Sequence, residues 1–139
     1  MLKPRKKKYN PIEWLDAPDI KRRIRSLAVS LQIDWIKPSS VYCVRSTNSK
    51  TRAYARIWGL GRIWQQALNL KPVYIIEVIS EKFDRLGLLE QDKVLLHEIS
   101  HIPKNFSGSL VPHITRGKRK FSDKVNKLIF QYEYYNSTR

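Results

Sequence analysis

All three histidines of the chain lie in the stretch HEISHIPKNFSGSLVPH, from His97 to His113, and Glu98 directly follows the first. His97 and His101 are four apart, so on a helix their imidazoles sit one turn apart on one face and can converge on a single ion. Glu98 falls roughly 60° around from His101, beside such an ion and not on it. This is the H-E-x-x-H arrangement, in which two histidines bind Zn²⁺ and the glutamate serves as general base. A catalytic zinc takes three protein ligands and leaves a fourth position to water. The third histidine of H-E-x-x-H-x-x-G-x-x-H enzymes is missing here.

His113 is the one histidine left to complete the set, and Pro103, the Ser107-Gly108 pair and Pro112 can turn the chain back to bring it in. The acidic alternatives downstream are Glu133 and, more weakly, Asp123; His113 is expected over both. Three neutral imidazoles would leave the zinc charge uncompensated and lower the pKa of its water toward ~7. Glu98 would take a proton from that water as it attacks a carbonyl, then pass it to the leaving amine. An oxyanion donor is also needed. Arg116, Tyr132, Tyr134 and Tyr135 are candidates that the sequence does not rank, and each tyrosine is expected to pack in the last helix.

The elements that must position this site are legible in outline. Residues 18–32 place Ile20, Ile24, Leu27 and Leu31 on one face of an amphipathic helix whose other face, with Lys21, Arg22, Arg23 and Arg25, is basic. Strands are expected at 40–46, 53–60 and 73–80, which are rich in β-branched and aromatic residues, with a short helix over 62–70. Ser80 is a candidate cap for the helical stretch that follows, with a break at Gly87 and an end at Ile102, because Pro103 disfavours helical geometry before it. On that helix Leu88, Leu95, Ile99 and Ile102 form the apolar face opposite the histidines. A last helix follows Ser122, its expected cap, with Val125, Leu128 and Ile129 as its stripe. The order is α+β: a small sheet of three strands or slightly more, packed on the histidine-bearing helix and flanked by N- and C-terminal helices. Peptide substrates of such enzymes commonly pair with an exposed strand edge, so one of the three strands should be a free edge.

The length fits one domain, expected over 11–139 after a basic, disordered arm at 1–10. No apolar run suggests a membrane span or secretory signal, so a cytoplasmic protein, favoured as a monomer, is expected. The lone Cys43 excludes an internal disulfide and a thiolate cage, and reads as a buried strand residue. The net charge of +15 is concentrated at the two ends. Lys6, Lys7, Lys8, Arg22, Arg23, Lys118, Arg119 and Lys120 are the candidates for non-specific contact with nucleic acid. Trp58 and Trp64 flank GLGRI and could stack bases beside Arg56 and Arg62, although core packing is the expected use.

The stretches RAYARIWGLGRIWQQALNLKPVYIIEVISEKFDRL and VLLHEISHIPKNFSGSLVPH resemble the putative phage metallopeptidase family, small zincin-like proteins, over roughly residues 40 to 116. The resemblance implies His97, His101 and His113 as zinc ligands and Glu98 as catalytic base. A more distant similarity is to SprT-like proteases, which degrade proteins trapped on DNA. Three functions are thereby in play. The leading one is a zinc metallopeptidase acting on protein or peptide substrates, including nucleic-acid-associated ones. The others are a non-catalytic, zinc-containing nucleic-acid-binding protein and a small-amide hydrolase, which would need a closed pocket.

Overall fold

A computed structural model describes residues 10–113 and 121–138. Its strands bury alternate side chains: Val41 and Cys43 on one, and Tyr74, Ile76 and Val78 on another, all face inward. A sheet covered by helices on one face requires this period of two.

Four strands form one mixed sheet in the order β1 (Glu13–Asp16), β2 (Val41–Thr47), β4 (Tyr74–Ile79), β3 (Ala55–Gly59). The pair β2·β4 is parallel; β1 on β2 and β3 on β4 are antiparallel. The fold is α+β as expected, with one strand more than the three read from the sequence. The added strand is β1, whose four residues, EWLD, are all exposed and two of them acidic, so it carries no burial pattern.

The helices are α1 (Pro18–Ser30), α2 (Arg62–Leu68), α3 (Ser80–Phe83), α4 (Leu88–Ile99) and α5 (Phe121–Ser137). The stripe on α1 is buried at Ile20, Ile24 and Leu27, and Leu31 packs partly against the core. Its basic face is only partly free. Lys21 donates to the carbonyls of Pro38 and Val41, and Arg23 grips Asp92 and Gln91 on α4. Arg22 is exposed.

Gly87 breaks the helical stretch as expected and stands as the N-cap of α4. Ser80 is the first residue of α3, without a side-chain cap bond, and Ser122 lies inside α5, so neither caps. Leu95, Ile99 and Ile102 are fully buried. Leu88 is not: at 72% exposed it corrects the expected apolar face, because the first turn of α4 projects past the core. Trp58 and Trp64 are likewise half-exposed and not core residues. Cys43 is buried as expected, and burial pushes its thiol up to about 11.

No helix among the described residues is long and apolar enough to cross a membrane. Lys6, Lys7, Lys8, Arg116, Lys118, Arg119 and Lys120, and nearly all of the basic arm, lie outside the described residues.

A candidate metal centre between helix and loop

The site begins on α4, which packs against β3 and presents His97 and Glu98 on its last turn. Beyond Ile99 the backbone tightens, with His101 N–H donating to the Glu98 carbonyl and Ile102 N–H to that of Ile99. His101 therefore sits on a three-residue turn just past the helix, still one turn from His97. The rings of His97 and His101 lie 5.3 Å apart.

His113 arrives from a loop pinned at several points. The Tyr74 hydroxyl donates to the Ser109 carbonyl and accepts from Gly108 N–H, both at 2.8 Å. Gln65 Nε2 donates to the carbonyls of Ser107 and Leu60. Gly108 has φ +93°, and a Cβ there would lie 2.2 Å from the Leu60 carbonyl oxygen. A Cβ at Gly59 would meet the Gly108 oxygen at 2.1 Å. The loop thus lies against the strand end so closely that glycine is required on both sides. Val111 then clasps His101: Val111 N–H donates to the His101 carbonyl at 2.7 Å, and His101 Nδ1–H donates to the Val111 carbonyl at 2.6 Å.

That clasp leaves His101 Nε2 free to face the other imidazoles. His97 Nε2 and His113 Nε2 are 3.1 Å apart, and one ring nitrogen from each of the three histidines lies within 4.8 Å of the others. Tetrahedral coordination at 2.0–2.1 Å sets nitrogens about 3.4 Å apart, so the donor set fits a metal ion. Imidazoles commonly bind metal with the other ring nitrogen held by a carbonyl, as at His101. Burial lowers the pKa of both His97 and His101; at His97 the other two histidines add to it, and at His101 burial, with His113 and Lys124, outweighs the hydrogen bond to the Val111 carbonyl, so the neutral form that ligation requires is favoured. This is the one such cluster of His, Cys, Asp or Glu among the described residues. Glu133 instead pairs with Lys93 at 3.2 Å, and Asp123 lies in the first turn of α5.

Phe121, at the start of α5, touches the whole cluster. Its ring stacks on His101 at 4.2 Å and 18°, and stands edge-on to His97 at 5.1 Å and His113 at 5.0 Å. No sequence signal singled it out, since its approach is purely tertiary. Glu98 is buried beside the histidines, and burial alone pushes its carboxyl up to about 7.

A cavity of about 640 Å³ spreads in front of the cluster, lined by His97, Glu98, His101 and His113 on one side and by residues 53–57 on the other. Its rim is exposed at Tyr54 and Leu110. Among the described residues β3 is an edge of the sheet, so the free edge expected among the three strands is the one that borders the cavity. Tyr54 is the cavity's only tyrosine among the described residues and was not among the expected donors. Of those, Tyr132 is buried with its hydroxyl donating to Asp92 at 2.7 Å, and Tyr134 is exposed.

A family model described as putative phage metallopeptidase matches residues 12–132. No curated protein and no solved structure matches the chain.

Proposed function

The chain belongs to the putative phage metallopeptidase family, and from that premise we propose that it is a zinc-dependent peptidase with His97, His101 and His113 as ligands and Glu98 as general base. The observation that carries the reading is the placement of a buried carboxyl beside three convergent imidazoles. A metal kept only for stability has no need of such a carboxyl, whose burial costs free energy.

Zinc bound there would supply a Lewis acid for the substrate carbonyl and a water of lowered pKa. The chain's own residues do the rest. Glu98 accepts the proton of the attacking water at its carboxylate and returns it to the leaving nitrogen. Phe121 and the buried flank of α4 keep solvent from the rear of the imidazoles. The peptide lies antiparallel along the free edge of β3, where main-chain groups of residues 55–59 bind it with little regard to side-chain sequence. Tyr54, on the cavity wall, is the donor for the developing oxyanion. The exposed rim favours an extended polypeptide over a small enclosed amide.

Unstructured protein substrates, including those carried on nucleic acid, suit this site, and the +15 charge favours contact with polyanions. The test is hydrolysis of an unfolded protein by the zinc-loaded chain and by Glu98→Gln. The expected outcome is a loss of at least about 100-fold in rate with zinc retained. Equal hydrolysis by both would reject the role of Glu98.

A further inference from the structure

The sheet face turned away from the helices carries a second constellation, remote in function from the histidines. Glu77, at the centre of β4, is fully buried although its side chain projects to that outer face. It is buried because two tryptophans close over it from opposite edges of the sheet. Trp14 on β1 donates its indole N–H to Glu77 Oε2 at 3.2 Å, and Trp58 on β3 donates to Oε1 at 2.9 Å. Arg56, paired with Glu77 in register, donates to the same carboxylate at 2.6 Å and lies 5.1 Å from the centre of the Trp58 ring.

One buried carboxylate thus fixes two indoles and a guanidinium at a solvent-facing surface. Trp14 remains 57% exposed and Trp58 51%. Tyr42, on the same face of β2, and Ile75, beside Trp58, are also exposed. A surface needing only solubility would not spend a buried charge to hold aromatic rings in water. Immobilised exposed aromatics beside an arginine are what stacking on flat, unpaired bases requires.

We propose that this outer face binds single-stranded nucleic acid, with bases stacking on Trp14 and Trp58 and the sugar-phosphate chain drawn by the protein's basic charge. On the face itself Arg56 pairs with Glu77 and Asp16 is exposed, so the pull on a polyanion comes from the chain's net +15, which also repels a second copy of the chain. The basic run from Lys3 to Lys8 precedes Trp14 by six residues. The proposal does not depend on peptidase activity.

The experiment is an anisotropy titration of labelled oligothymidylate and oligouridylate, each of about 12 nucleotides, with the full chain and with the Trp14→Leu/Trp58→Leu variant at several salt concentrations. Leucine keeps apolar cover over Glu77 but cannot stack. The variant is expected to lose at least about tenfold in affinity for the single strands. Its salt slope, and its binding of duplex DNA and inorganic polyphosphate, should match wild type. Binding of either oligonucleotide satisfies the proposal, and their ratio separates DNA from RNA as the source.

Undiminished single-strand binding by the variant, or an equal loss toward polyphosphate, would overturn it. So would wild-type self-association that the variant abolishes while single-strand binding persists. Should the variant fail to fold, ultraviolet cross-linking of wild type decides: adducts on the peptides carrying Trp14 or Trp58 support the platform, and adducts confined to the basic runs refute it.

Discussion

His101 and His113 bring identical imidazoles to one point by different routes. His101 sits on the tight turn that continues α4, and the far side of helix and turn, Leu95, Ile99 and Ile102, is fully buried. Its position is set by the same core that holds the domain together. His113 ends a loop that contributes Phe106 to the core and is otherwise held by hydrogen bonds from Tyr74, Gln65 and His101. The first position fails only when the fold fails. The second can be loosened by removing a single hydroxyl, and a centre that needs both is only as rigid as its loop.

Substitutions can separate the two routes. Leu95→Ala empties space in the core behind the helix and is expected to cost about 2–5 kcal/mol of global stability. Below its lowered melting point, zinc affinity should be almost unchanged. A large affinity loss in the folded variant would mean that the helix is less rigid than its burial implies.

Acid tests the two faces of β4, which carries Tyr74 on the loop side and Glu77 on the other. Burial of the Glu77 carboxyl by itself raises its pKa, and hydrogen bonds from Arg56, Trp58 and Trp14 outweigh this and bring it down to about 2. A folded pKa below the ordinary 4.5 stabilises the fold above that value, and the contribution is lost as pH falls through about 2. It is on the order of 3 kcal/mol. Denaturant melts between pH 5 and 2 should therefore fall more steeply for wild type than for Glu77→Gln; parallel curves would remove Glu77 from this role.

Tyr74→Phe removes one donor and one acceptor from the loop and is expected to cost about 1–3 kcal/mol. Its effect on zinc affinity should be disproportionate, at least about tenfold, because only the His113 route is damaged. A variant that melts earlier but binds zinc as tightly as wild type would show that Gln65 and Val111 suffice. The smallest effect is expected at Leu88→Ala, within about 0.5 kcal/mol, since that side chain faces water. A thermal melt detects any larger change.

The same division explains what could be read without coordinates. That His97 and His101 share one face follows from helical spacing, as do the buried Ile20, Ile24 and Leu27 of α1 and Val125 and Leu128 of α5. His113 could be chosen over Glu133 because it was the last histidine, but no periodicity describes the path that brings it in. That path depends on a glycine at positive φ and on a tyrosine from a distant strand. Phe121 and Tyr54 reach the site only through tertiary packing. Leu88 departs from the apolar face because period places a residue on a helix face without saying whether the core extends that far. Trp58 departs from the expected core packing because an indole satisfied by a buried carboxylate can stay at the surface.

Elemental analysis of the purified chain beside His97→Ala, His101→Ala and His113→Ala bears most directly on the centre. One zinc per chain is expected in wild type, with each substitution weakening or abolishing it. Full zinc in His113→Ala would contradict the three-histidine site, and a wild-type chain that takes up no zinc even when it is supplied would remove the basis for hydrolysis.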